Sequence, residues 1–144
     1  MRIVLLSFLL VLAACDLKSR EETDIKTMIT ELIAADNRSD LESVLHHYTM
    51  DATLMPPGKP SISGMNNLRS NYQHIFSTTR LQLETKIEGI EVNRFSALAW
   101  GFNSGKAISL KDSTIREIND KYAMHLVKEK GEWKIERLIW NSNK

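Results

Sequence analysis

One cysteine in 144 residues excludes an intramolecular disulfide, and with it the stapled folds of small secreted domains. Three prolines and six glycines leave no low-complexity or linker-like stretch, and no internal repeat is present. Stability must therefore come from a buried core, which one domain of this length can supply. Neither sign of charge is in excess: 19 Lys and Arg stand against 18 Asp and Glu. Phosphate binding draws on a basic surplus gathered on one face, and here the charges are scattered, so nucleic acid is not expected as a partner. The apolar run from Ile3 to Leu12 falls well short of the roughly 20 residues that span a bilayer.

That short run has a defined setting. Arg2 precedes it, and Leu12-Ala13-Ala14-Cys15 follows it, a small-residue stretch ending in the only cysteine. The arrangement resembles a bacterial lipoprotein signal, which implies cleavage before Cys15 and acylation of that residue. Residues 1–14 are then a signal peptide and 15–23 a lipidated tether, because DLKSREET (16–23) is charged and lacks apolar periodicity. Residues 24–144 form the folded domain. Arg2 is the only charge in the signal, so the mature chain is neutral, and membrane attachment rests on lipid at Cys15. The expected location is exported, on the periplasmic side or the cell surface. Asp16 resembles the inner-membrane retention signal of enteric bacteria. With Cys15 consumed, no thiol nucleophile or thiolate metal site remains.

Ile25, Met28, Ile29, Leu32 and Ile33 repeat at helical spacing and predict an amphipathic helix from Asp24 to about Asn37. Ser39 and Glu42 form a capping-box pattern ahead of Leu41, Val44, Leu45 and Tyr48, a second helix ending near His47 or Tyr48. Ala52 to Pro56 reads as a short strand, stopped by Pro56-Pro57-Gly58 and Pro60. Gly64 opens a third helix carrying Met65, Leu68, Tyr72, Ile75 and Phe76 on one face, with Ser63 as its cap. Strand-length runs follow at Leu81–Val92, Ser96–Gly105, Ile115–Val127 and Trp133–Asn141. Helices followed by antiparallel strands mean an α+β fold.

This order, with Asp40-Leu41, the run Tyr48 to Gly58, Gly64, Gly131-Glu132-Trp133-Lys134-Ile135 and Ile139-Trp140-Asn141-Ser142, resembles the nuclear transport factor 2-like superfamily, in its SnoaL-like and ketosteroid-isomerase-like branch. The resemblance implies a cone: a curved antiparallel sheet of four to six strands on three N-terminal helices, enclosing an apolar pocket, with a homodimer through the outer sheet face. It also implies where isomerase chemistry would sit. The general base of those enzymes falls on Pro56, their oxyanion tyrosine about at Leu32 and their protonated aspartate near Ala123, or Tyr122 if the alignment slips by one. None matches, so the isomerase mechanism is disfavoured.

The remaining candidates are Asp36 and His125. Asp36 continues the apolar stripe of the first helix near its C-terminal end, where the helix dipole opposes a carboxylate. It is either solvated at a frayed end, or buried with a cation or with a raised pKa. His125 shares a strand face with Ala123 and Val127, which the alignment turns into the pocket beside Leu54, Trp100, Tyr122 and Trp140. Either could serve acid/base chemistry, although a strand histidine bonded to a neighbour is the commoner situation. His46 and His47 are adjacent on a helix and cannot close on one ion, and His74 lies on another helix, so no metal is expected, nor any cofactor. Two functions follow: a lipid-anchored module that binds a small apolar molecule or a protein partner, or an enzyme doing acid/base chemistry on a small ring or carbonyl compound.

Overall fold

A computed structural model describes residues 2–143, with side chains from 18 to 143; the signal segment and Cys15 lie outside the described side chains. The elements in chain order are α1 (Arg2–Arg38), α2 (Leu41–His46), β1 (Tyr48–Met55), β2 (Ile62–Ser63), α3 (Met65–Thr78), β3 (Thr79–Val92), β4 (Ser96–Ser109), β5 (Ile115–Glu129) and β6 (Glu132–Ser142). They form one six-stranded sheet in the order β2-β1-β6-β5-β4-β3, with the helices on its concave side. Among the described residues, no helix is long and apolar enough to cross a membrane.

The stripe on α1 is buried as its spacing requires, with Ile25, Ile29 and Leu32 at the centre of the core. They meet inward residues of the sheet: Ala97 and Ala99 of β4, Met124 and Leu126 of β5, Trp133 and Ile135 of β6. Small residues on β4 let the helix approach closely. At Gly101 the space is closed completely, since a Cβ there would lie 2.1 Å from the Lys86 carbonyl oxygen and 2.9 Å from the Tyr122 hydroxyl.

Several boundaries differ from the sequence expectation. Residues 18–23 are helical, not an irregular tether. The Lys128 ammonium donates to both Glu21 carboxylate oxygens at 2.5 and 2.7 Å, and the Trp133 indole N–H donates to Oε2 at 2.7 Å. A charged run without periodicity still joins the domain when one of its acids meets a cation and a buried donor. Asp40, not Ser39, caps α2, accepting from the Ser43 N–H at 3.2 Å and its hydroxyl at 2.6 Å. Ser39 sits in the left-handed region at φ 54°, and Glu42 is drawn away to pair with Arg69 of α3. Gly64, at φ 81°, is itself the N-cap of α3, while Ser63 belongs to β2.

The sheet is also not wholly antiparallel. β6 must run against β5, its hairpin partner, and this orients it parallel to β1. The pairing is permitted because α3 and four strands separate the two in sequence, a long crossover rather than a tight turn. Between Tyr48 and Thr53 the ladder slips, the six residues from Tyr48 to Thr53 covering the three from Ile135 to Arg137.

At its other end α1 is fixed by Asn37. Its amide nitrogen donates to the Leu83 carbonyl oxygen at 2.9 Å, and its amide oxygen accepts from the Leu83 N–H at 2.7 Å. Leu83 lies on the free edge of β3, so one side chain replaces a missing ladder partner. Asn37→Ala removes both bonds and is expected to lower stability by about 2 kcal/mol, read from the midpoint of urea unfolding with an unchanged m-value.

Candidate functional site

Asp36 is 8 % exposed, and among the described residues no atom bonds its Oδ1. The helix end is not frayed. Ser39 N–H donates to the Asp36 carbonyl and Asp40 N–H to the Ala35 carbonyl, each at 3.0 Å, and Asn37 pins the next residue to the sheet. The carboxyl is thus held inside by the helix that carries it. Burial without a cation raises its pKa from an ordinary 3.8 to about 7, since an ionised carboxylate in a dry interior loses its hydration without replacement.

Two buried tyrosines share this interior. Tyr48 of β1 and Tyr72 of α3 are joined hydroxyl to hydroxyl at 2.8 Å. Burial raises both phenols, and the nearby Asp36 charge raises them further. They therefore act as neutral hydrogen-bonding groups.

The sheet wall opposite the end of α1 carries a second polar group. Leu83, the partner of Asn37, is two residues from Thr85, whose ladder neighbours are Asn103 of β4 and, one strand further, Asp120 of β5. Asn103 Oδ1 is buried and unbonded, like Asp36 Oδ1. Partial burial raises the Asp120 carboxyl, against the lowering effect of Arg116. In the adjoining row, the Tyr122 hydroxyl meets Thr85 Oγ1 at 3.2 Å, and Trp140 packs against the core beside Tyr122. A groove of about 500 Å³ opens at this end, lined by Asn37, Leu81, Leu83, Ser104 and Gly105 among others.

The expected pocket set divides between the two faces of the sheet. Leu54, Tyr122 and Trp140 lie on the inner face. Residues 118, 122, 124 and 126 of β5 are the buried ones, so Ala123, His125 and Val127 point outward. This corrects the expectation that His125 looks into the pocket, and it makes Tyr122 the inward residue where Ala123 had been aligned. A one-residue change of register exchanges the faces of a strand. Trp100, the ladder partner of Ala123, is outward too; its indole lies over Gly89, where a Cβ would be 2.2 Å from Cζ2. His125 Nδ1 bonds Glu136 Oε2 at 2.9 Å, and Arg137 bonds the same oxygen at 2.5 Å. His125 and Asp36 are thus on opposite sides of the sheet and cannot act on one substrate. Leu32 is buried core and Pro56 follows the last residue of β1.

His46 bonds Lys134 and faces Glu132, whereas His47 is buried, its pKa lowered by desolvation. Among the described residues, no group of three His, Cys, Asp or Glu is placed to hold a metal ion. Sequence reasoning passed over Glu21, Asn37, Asn103 and Asp120. For the last, parity with Ile118 and Tyr122 carries the signal.

The raised Asp36 pKa has a sign for stability. Between pH 3.8 and about 7 the unfolded chain releases this proton and the folded chain keeps it. Each pH unit of that interval costs folding about 1.4 kcal/mol, on the order of 4 kcal/mol in all. Asp36→Asn is expected to abolish this component. The difference between variant and parent in urea unfolding should grow in the variant's favour from pH 4 to pH 7 and then level off.

A profile of the SnoaL-like domain matches residues 25–138. No curated protein is significantly similar to the chain. Solved structures with the same fold include a ketosteroid isomerase-like protein from Erwinia carotovora atroseptica, 22% identical over 85% of this chain and 95% of that one, with a TM-score of 0.78. A conserved protein from Planctomyces limnophilus is 16% identical, covering 84% and 94%, with a TM-score of 0.78. A nuclear transport factor 2-like superfamily protein from Salmonella enterica serovar Typhimurium is 13% identical, covering 88% and 94%, also with a TM-score of 0.78. The fold is that of the nuclear transport factor 2-like proteins, and with the family profile spanning α1 to β6, the chain belongs to the SnoaL-like domain family.

Proposed function

We propose that this chain is a lipid-anchored, extracytoplasmic SnoaL-like domain that binds a small, mainly apolar molecule on the concave face beneath the end of α1. The observation that carries the binding is Asp36: a carboxyl over nine-tenths buried, with an oxygen that nothing among the described residues satisfies. An unpaired buried polar atom costs roughly 1–3 kcal/mol, and a ligand that bonds it recovers that cost. Asn103 offers a second unpaired acceptor on the facing wall. The fitting ligand has an apolar body and a hydroxyl or amine that donates to these oxygens. It enters by the groove beside Asn37 and Gly105.

A second reading, an enzyme acting on a small ring or carbonyl compound, is favoured by the same carboxyl. A pKa of about 7 lets Asp36 both accept and give a proton at neutral pH, with the Tyr48–Tyr72 pair as a neutral donor nearby. Any such activity runs through Asp36 alone, because His125 is on the other face.

The anchor rests on Leu12-Ala13-Ala14-Cys15 behind the short apolar run. Intact mass of the chain purified from bacterial membranes should show residues 15–144 plus diacylglycerol and an acyl chain, and Cys15→Ala should leave the signal uncleaved or the product unlipidated. Native mass spectrometry of the same protein should retain a small molecule that is lost in Asp36→Leu and kept in the outer-face variant Trp100→Ala. An empty parent protein would refute the binding reading. Turnover whose kcat/KM inflects near pH 7, and loses that inflection in Asp36→Asn, would establish the enzyme instead.

A further inference from the structure

We infer that the end of the domain around Phe95 is a membrane-docking surface, inserting Phe95 into the lipid interface with Arg94 at the headgroups; this rests on the lipid anchor proposed above. Phe95 is in the β3–β4 turn and is 68 % exposed. The Arg94 guanidinium stands 5.0 Å from its ring centroid. An aromatic ring with an arginine beside it is the pair that partitions to the boundary between hydrocarbon and headgroups.

The clamp on α1 decides which end of the molecule this is. The Phe95 carbonyl accepts from the Lys128 N–H at 3.2 Å, and the Lys128 ammonium holds Glu21. Glu21 is six residues from Cys15, and six residues reach at most about 20 Å even when fully extended. With lipid on Cys15, the turn that carries Phe95 cannot stand far from the bilayer. Lys18, Arg20 and Lys130 are exposed at this same end and, with Arg94, complement an anionic leaflet; the exposed acids there are Glu91, Glu129 and Glu132, the last paired with Lys134. The β4–β5 turn, carrying Leu110 at 52 % exposure, is at the far end of the sheet.

The sequence supplies its own control, since lipidation consumes the only cysteine. Phe95→Cys and Leu110→Cys each create a single free thiol in the full lipidated chain, to be labelled with an environment-sensitive fluorophore and reconstituted in vesicles of phosphatidylglycerol and phosphatidylethanolamine. The label at 95 should lose about half or more of its emission to spin-labelled lipid, the label at 110 about a tenth or less. Equal quenching at both positions, or none at 95, in protein of lipidated mass overturns the docking surface and leaves the anchor standing. A chain with two reactive thiols and no added lipid mass overturns the anchor, and the docking surface with it.

Discussion

The structure depends on how α1 is held across the concave face of the sheet. Its apolar stripe drives it there, but a stripe of Ile and Leu against Ala and Met fixes neither the axial position nor the end points of a helix. Two polar contacts do. Glu21 is tied to Lys128 and Trp133 at the β5–β6 end, and Asn37 to Leu83 on the β3 edge. Between them the helix lies diagonally under four strands, and the core residues Ile25, Ile29 and Leu32 come to rest over the small side chains of β4. Removing the stripe would remove the core, whereas removing the end contacts would let the same core slide.

The position of Asp36 follows from that constraint. A carboxylate at the C-terminal end of a helix, facing inward, is unfavourable on three counts: the dipole, the desolvation and the lack of a cation. It stays because Asn37 anchors the neighbouring residue and the last turn is closed by backbone bonds. Sites that break local rules are where function is to be sought. Here the two unpaired buried oxygens, on Asp36 and Asn103, lie toward the same end of the sheet, near the groove at its edge. The outer face carries different chemistry, the His125–Glu136–Arg137 cluster and the Trp100 indole on Gly89, separated from Asp36 by the sheet itself.

The α+β architecture, the stripe on α1 and the strand runs were legible because periodicity records burial directly. Asp36 was legible as a member of that stripe, although spacing cannot say whether the last turn of a helix is closed or frayed; Asn37 and the backbone decide it. The faces of β4 and β5 were misassigned for His125, Ala123 and Trp100. Both faces of those strands carry apolar residues, so alternation is weak, and a one-residue displacement reverses every inference. Glu21 was hidden for the opposite reason: a charged segment without periodicity gives no sign of a partner more than a hundred residues later. The parallel pairing of β1 with β6 was equally invisible, since nothing local distinguishes it from an antiparallel neighbour.

That pairing has a consequence for the order in which the chain can fold. β6 lies between β1 and β5, and its residues Ile135 and Leu138 face Tyr48 and Leu54 across the parallel ladder. Until the last dozen residues are available, β1 has no partner on its β6 side, and the β3–β4–β5 meander, on which α1 packs, has no neighbour on its β5 side. Contacts so distant in sequence make folding slow to begin. Closing the sheet on its β1 side is therefore the step that waits for the C-terminus.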